Sequence, residues 1–303
     1  MTDELEVGFI GLGVMGGPQS ANLITKSGRT VRVFDLDVEA VERAVQLGAR
    51  RADSVTELAA SCDVIFLSLP SGAHVERVVR QEGGILERGR EGTVVVDLST
   101  SPATLAGELA PDLAERGLDF IDAPVSRTRE AAIAGTLSIT AGGPVTSFRR
   151  VEPLLQCMAS DIMHCGGHGA GALVKLANNL VVFETVVAIS EALALIRRSG
   201  LAEEAVAFEA LAQGSAGSFA LEHHGRDALL PDEHEEGRFS AAYMLKDVGY
   251  SLDLADRLGL DLPSAKVAYE LLERTIDAGA ANRYHTAVSH VIDPALGAWD
   301  RDA

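Results

Sequence analysis

The sequence predicts an α/β domain with a doubly wound parallel sheet, followed by an all-α domain built on one long central helix. Two observations carry this. Over the first half of the chain, short apolar runs alternate with amphipathic stretches, the pattern of strands alternating with helices. Past a glycine-rich turn, Gly166-Gly167-His168-Gly169-Ala170-Gly171, no strand pattern recurs, and a long apolar run opens a series of helical stretches.

Strands are expected over 7–10, 30–35, 63–69, 93–97, 118–122 and 136–141, and helices over 15–27, 38–47, 103–116 and 145–158. The run 172–198 is apolar on nearly every face, which predicts a buried core helix. Helices near 203–213, 240–258 and 263–278 follow. The glycine turn sets the expected boundary, with one domain over 1–166 and an all-helical domain over 167–303.

Composition narrows the function. The 303 residues carry a net charge of −18. A ligand for nucleic-acid phosphates or an anionic membrane surface needs a basic face, so neither partner is expected. The apolar run 180–196 carries Glu184 and Glu191, which a membrane span rarely tolerates. The acidic start, Met1-Thr2-Asp3-Glu4-Leu5-Glu6, lacks the basic and apolar regions of a signal peptide. Three cysteines, Cys62, Cys157 and Cys165, form an odd and sparse set that fits a reducing cytoplasm. Cys165 and His168 stand close but lack further ligands, and His223, His224 and His234 read as surface, so no metal is expected. The stretch 203–236, with nine acids and one Arg, reads as solvated.

Gly11-Leu12-Gly13-Val14-Met15-Gly16 follows the first strand and opens the first helix. Gly11 permits a tight turn, Gly13 lets the backbone approach a pyrophosphate, and Gly16 lets helix pack on strand. The helix N-terminus offers N–H groups and a positive dipole end to the phosphates. Asp35, nineteen residues after Gly16 at the end of the second strand, is placed to accept hydrogen bonds from a ribose. These features together predict a Rossmann domain. Its carboxylate repels a 2′-phosphate and no Arg directly follows, so NAD is expected over NADP.

Three further segments carry candidate chemistry. Asp122-Ala123-Pro124-Val125-Ser126-Arg127-Thr128 follows a strand's carboxyl end, where open α/β sheets bind ligands. Lys175, Asn178 and Asn179 share one helix face among Leu, Ala and Val, where polar groups are costly to bury without a task. Met244-Leu245-Lys246-Asp247 lies on a later helix, where Lys246-Asp247 alone reads as an ordinary solvated pair.

With Gly8 to Gly16, Asp122-Ala123-Pro124-Val125-Ser126, Gly135-Thr136-Leu137, the Lys175 to Asn179 block and Lys246-Asp247 in this order, the chain resembles the 3-hydroxyisobutyrate dehydrogenase (β-hydroxyacid dehydrogenase) family, related to 6-phosphogluconate dehydrogenase. The resemblance implies that Lys175 is the catalytic acid/base, that Asn179 and Asn178 hold the substrate, and that Ser126 and nearby amides receive its carboxylate. It also implies that Leu69, Pro70 and Thr100 line the cofactor, that Lys246 reaches it, and that the protein is a homodimer or homotetramer. A lysine made less basic by desolvation or by an oxidised nicotinamide serves proton transfer in either direction.

The chain departs from the family pattern where Arg127-Thr128 replaces Gly-Gly after Ser126. A subset resembling sulfolactaldehyde reductase carries the same pair. The expectation is therefore that Arg127, with Thr128 beside it, binds a sulfonate or carboxylate end group. The expected activity is reversible, NAD-linked hydride transfer to or from a small anionic 3-hydroxy acid or its aldehyde. Imine reductases of similar architecture resemble the chain but replace the lysine, and relatives that serve as non-catalytic interaction domains lose it. Lys175 speaks against both.

Overall fold

The computed structural model describes residues 5–299, so the acidic start over 1–4 lies outside them. Two compact units divide the chain, Met1–Lys175 and Leu176–Ala303.

The first unit holds nine strands: β1 (Val7–Ile10), β2 (Val31–Phe34), β3 (Arg50–Arg51), β4 (Val64–Leu67), β5 (Val94–Asp97), β6 (Asp119–Asp122), β7 (Val125–Ser126), β8 (Leu137–Gly142) and β9 (Ala159–Gly166). They form one sheet in the order 3-2-1-4-5-6-8-7, with β9 paired to β8. The helices of this unit are α1 (Gly16–Lys26), α2 (Val38–Gln46), α3 (Val55–Ser61), α4 (Gly72–Arg80), α5 (Ile85–Arg88), α6 (Ala103–Glu115), α7 (Arg129–Ala134) and α8 (Val145–Leu155).

Strand side chains alternate between faces, and both faces are covered here. Val7, Phe9, Val64, Phe66, Val94 and Val96 enter one core, whereas Ile10, Ile65, Leu67 and Val95 enter a second. Burial on both faces is why these strands read as continuous apolar runs. The order reverses between β1 and β4, the switch point at which open α/β sheets receive ligands.

The sheet is not wholly parallel, as the sequence predicts it to be. β1 to β6 run parallel, but β8 lies antiparallel to β6 and β7. β3 and β7 are two residues each, too short to carry a period. β9 is an edge strand whose outward residues Ser160, Asp161 and Met163 are exposed, so no apolar run marks it.

The helix α9 (Ala170–Ser199) begins in the first unit and continues into the second, where α10 (Glu204–Gln213), α11 (Ala241–Leu258), α12 (Pro263–Thr275) and α13 (Val288–Ile292) follow. Phe183, Val186 and Leu193 of α9 pack with Phe208, Met244, Val248, Leu272 and Val288 in the core of this unit. By length and composition α9 could cross a membrane, but this stripe places it as a core helix. It is not buried on every face as expected, since Val181 and Leu195 are exposed. The acidic stretch is not wholly solvated either. Its π-helical segment Leu221–Leu229 buries Leu221, His224 and Leu229, and His234 is buried beyond it.

Asp97 closes β5 in full burial. Its Oδ1 accepts the N–H of Ser99 at 2.9 Å, and its Oδ2 accepts the hydroxyl of Ser101 at 2.7 Å. Burial outweighs these bonds and pushes the carboxyl up to about 6. Because the folded value exceeds the unfolded one near 3.9, folding takes up a proton between roughly pH 4 and 6. The stability difference between wild type and Asp97→Asn is therefore expected to fall as pH rises through this window, by about 1.4 kcal/mol per unit at most. Urea unfolding of both proteins across that range measures it, and a pH-independent difference would contradict the assignment.

Candidate active site

The glycine turn after β1 is shaped by what it excludes. A Cβ on Gly11, whose φ is +96°, would lie 2.2 Å from the carbonyl oxygen of Ser68, and one on Gly16 would lie 2.0 Å from that of Gly11. These two positions therefore need glycine to bring loop, β4 and α1 together. A Cβ on Gly13 would meet open space, so Gly13 is bare toward the side a ligand would approach. Between them, Leu12 donates its N–H to Oδ2 of Asp35, and Asp37 donates its N–H to Oδ1 at 2.8 Å. Asp35 thus ties the loop to the end of β2.

The helix α1 opens without a side-chain cap and without an acid in its first turn, so its positive end faces no carboxylate of its own. Val14 and Leu36 expose apolar surface beside Gly13 and Asp35. Leu69 and Pro70 follow β4, and Thr100 follows β5, at the same carboxyl edge of the sheet. Bare loop, uncapped helix and acid at the end of β2 fit a dinucleotide, with amides for the pyrophosphate and Asp35 for the ribose.

The lysine is placed by a second acid. Asp122, buried at the end of β6, accepts the N–H of Gly169 at 2.8 Å with Oδ1 and that of Ala172 at 2.9 Å with Oδ2. It thereby caps the start of α9 from another strand. Thr140 of β8 donates its hydroxyl to the carbonyl of Gly171 at 3.0 Å. A side chain on Gly171 would strike the Thr140 carbonyl at 2.3 Å. Burial raises the Asp122 carboxyl above its usual range, and the N–H groups of Gly169 and Ala172 oppose the shift. One turn into the helix so anchored, Lys175 is 8% exposed and directs Nζ to 3.5 Å from Oγ of Ser126 on β7.

Arg127 and Thr128 do other work than the sequence suggests. The guanidinium of Arg127 donates through NH1 to the Thr136 carbonyl at 2.6 Å and Ser160 Oγ at 2.9 Å, and through NH2 to Asp161 Oδ2 at 2.7 Å. Hydrogen bonds from Ser160 and Arg127 hold the Asp161 carboxyl below its usual range. Where the sequence leads one to expect a sulfonate or carboxylate end group of the substrate beside Arg127, the structure places the Asp161 carboxylate of β9. Arg127 also adopts φ +86°, a conformation that favours glycine and explains the Gly-Gly pattern elsewhere. Thr128 is the N-cap of α7, its hydroxyl accepting the N–H of Ala131, so that hydroxyl is already committed locally.

On α9, Asn178 and Asn179 follow Lys175 by one helical turn. In the second unit they form a polar chain that runs from the exposed Asn178 to the buried Asn179 and Asp247. Asn178 donates to Asn179 Oδ1 at 3.2 Å, and Asn179 donates to Asp247 Oδ2 at 2.6 Å. Lys246 places Nζ 2.8 Å from Asp247 Oδ1 and lies over the ring of Tyr250. Asp247, fully buried on α11, is therefore no solvated partner. Asp122 and Asp247 are the two residues that sequence reasoning passed over, although both stand in motifs it singled out.

Comparisons with known proteins identify the family. Residues 6–167 match the model described as the NAD binding domain of 6-phosphogluconate dehydrogenase. Residues 169–292 match the one described as NAD-binding of NADP-dependent 3-hydroxyisobutyrate dehydrogenase. The chain is 37% identical to a 3-hydroxyisobutyrate dehydrogenase of Pseudomonas aeruginosa, over 92% of this chain and 94% of that one. It is 34% identical to a 2-(hydroxymethyl)glutarate dehydrogenase of Eubacterium barkeri, over 98% of each. The solved structure of a Mycobacterium tuberculosis 3-hydroxyisobutyrate dehydrogenase with L-serine superposes with a TM-score of 0.85 at 32% identity, covering 95% of this chain and 99% of that one. A nicotinamide cradle, a buried lysine beside a serine and a match along the whole chain have one reading: this protein belongs to the 3-hydroxyisobutyrate dehydrogenase family, nicotinamide-dependent oxidoreductases acting on the CH–OH group of small hydroxy acids.

Proposed function

We propose that the protein is an NAD-linked enzyme that interconverts a small, anionic 3-hydroxy acid and its aldehyde acid, with Lys175 moving the proton. The observation that carries this is the buried Lys175, held beside Ser126 at the start of an anchored helix. When bound, the nicotinamide supplies the hydride acceptor or donor. Lys175 Nζ takes the proton from the substrate hydroxyl during oxidation and returns it to the carbonyl oxygen during reduction. Ser126 receives the substrate carboxylate, and the Asn178 and Asn179 amides orient its oxygen. The amides of Gly13 to Gly16 would hold the pyrophosphate, while Leu69, Pro70 and Thr100 would flank the cofactor.

The free thiols Cys62, Cys157 and Cys165 support a cytoplasmic setting. The exposed Val181 and Leu195 of α9 support a homodimer or homotetramer. Arg127 acts as a positioning residue: held by Thr136, Ser160 and Asp161, it keeps the backbone after Ser126 in its left-handed turn.

Lys175→Ala is expected to lower kcat on the order of a hundred- to ten-thousand-fold while NAD still binds. Steady-state rates together with a cofactor titration decide this, and near-normal turnover would remove Lys175 from the chemistry.

Asp35→Ser combined with Leu36→Arg is expected to weaken NAD and admit NADP, because a repelling carboxylate is exchanged for a phosphate partner. A wild-type enzyme already preferring NADP would contradict the role given to Asp35.

Arg127→Ala is expected to lower kcat/KM to a similar degree for sulfonate, carboxylate and uncharged substrates, since the guanidinium shapes the loop and leaves substrate charge to other groups. Arg127→Gly, which removes the left-handed cost of about 1–2 kcal/mol, should lose less. A loss confined to anionic substrates would assign the guanidinium to the substrate instead.

A further inference from the structure

Outside the catalytic residues, three side chains of the second unit converge on one point. Asp232, in the turn after the π-helical segment, adopts φ +60°, a left-handed conformation that Asp and Asn tolerate better than most residues. Its Oδ1 lies 3.1 Å from Nε2 of His234 and 2.9 Å from Nε2 of His290 on α13. All three ligand-capable atoms lie within 4.8 Å of one another. The imidazole side chains are 0% and 9% exposed, and Asp232 is 34% exposed, so solvent reaches the cluster mainly at the carboxylate.

The outer nitrogen of each ring is held as well. His234 Nδ1 lies 2.7 Å from Thr286 Oγ1, and His290 Nδ1 lies 2.9 Å from the carbonyl oxygen of Gly297. Rings oriented through one nitrogen, with the other aimed at a shared point, are the usual frame of metal-binding histidines. The Ser289 hydroxyl lies 3.3 Å from His234 Nε2.

Proton bookkeeping sharpens the case. A carbonyl only accepts, so Nδ1 of His290 carries hydrogen. A neutral imidazole has one N–H, and its Nε2 would then turn a lone pair toward a carboxylate oxygen 2.9 Å away. Two acceptors at that distance repel. A cation between them, either a second proton on His290 or a metal ion, resolves the conflict.

We propose that Asp232, His234 and His290 bind a divalent transition metal of the zinc class. Two imidazoles and one carboxylate suit Zn²⁺, Co²⁺ or Ni²⁺ better than Mg²⁺ or Ca²⁺, which favour oxygen donors. Bonds of about 2.0–2.1 Å in tetrahedral geometry separate neighbouring ligands by roughly 3.3 Å. The 2.9 and 3.1 Å separations widen slightly to admit the ion, and the two Nε2 atoms, within 4.8 Å of each other, move to the same spacing. It would join the turn at Asp232 to the segment carrying His290, 58 residues away in the chain, leaving a fourth position for water.

The structure provides its own reporter. Trp299, the single tryptophan of the chain, stacks on His290 at 3.8 Å between ring centroids and stands 5.5 Å from His234. Tag-free, full-length protein dialysed against EDTA is titrated with Co²⁺ while Trp299 emission is followed, and Zn²⁺ is then added in competition. Saturable quenching at one Co²⁺ per chain, reversed by Zn²⁺, and a higher Tm with Zn²⁺ are the expected results. Asp232→Asn keeps a residue suited to the left-handed turn and should weaken Co²⁺ on the order of tenfold or more, whereas His290→Gln should abolish the quenching. Absence of saturable Co²⁺ and Zn²⁺ binding to wild type at micromolar concentrations overturns the proposal. Unchanged affinity in a folded Asp232→Asn protein, verified by circular dichroism, overturns it equally.

Discussion

The two carboxylate oxygens of Asp122 accept the backbone N–H groups of Gly169 and Ala172, joining the end of β6 to the first turn of α9. Hydrogen bonds to an ionised, buried acceptor contribute about 1.5–3 kcal/mol each, and the positive end of a 30-residue helix adds to the attraction. Without the carboxylate, buried donors would lose their partners. Lys175 stands on that first stretch of helix, so the location of its ammonium follows from a contact made by neither the lysine nor its neighbour Ser126. The close approach is possible because Gly171 carries no side chain against Thr140.

The same division between placing and acting recurs through the molecule. Asp35 holds the glycine loop through Leu12 while keeping lone pairs for a ribose. Asp247 holds Asn179 and Lys246 together in the second unit. Arg127, a surface ion pair that by itself contributes little, shapes the turn after Ser126 through three neighbours. Each polar group that the family chemistry needs is steadied by a charged residue whose partner comes from elsewhere in the chain.

That organisation explains what was legible beforehand. Strands β1, β4, β5 and β6 are covered on both faces and β2 on one, so their apolar residues mark them within one or two residues. The glycine spacing and the lysine among apolar neighbours were local signals, and both could be read directly. The partners of Arg127 are not legible locally, because they sit on β9, an edge strand with no apolar period, 33 and 34 residues further on. Asp247 reads as half of a solvated pair with the adjacent Lys246, and only the distant Asn179 reveals its burial. His234 reads as surface because an acidic surrounding hides that its contacts come from Asp232, Thr286 and Ser289.

The β8–β9 pairing bears on how the first unit is built during synthesis. β1 to β5 pair parallel in a progression that can begin as soon as β2 has emerged beside β1, whereas the grip of Asp122 on α9 closes a loop of 47 to 50 residues. Loop closure over that span costs chain entropy before any contact is gained, and β7, β8, α8 and β9 all lie inside it. On a ribosome delivering residues in order, the nucleotide-binding edge is therefore assembled first, and the lysine is brought into register last. A nascent chain could thus complete its dinucleotide-binding edge while Lys175 still awaits the docking of α9.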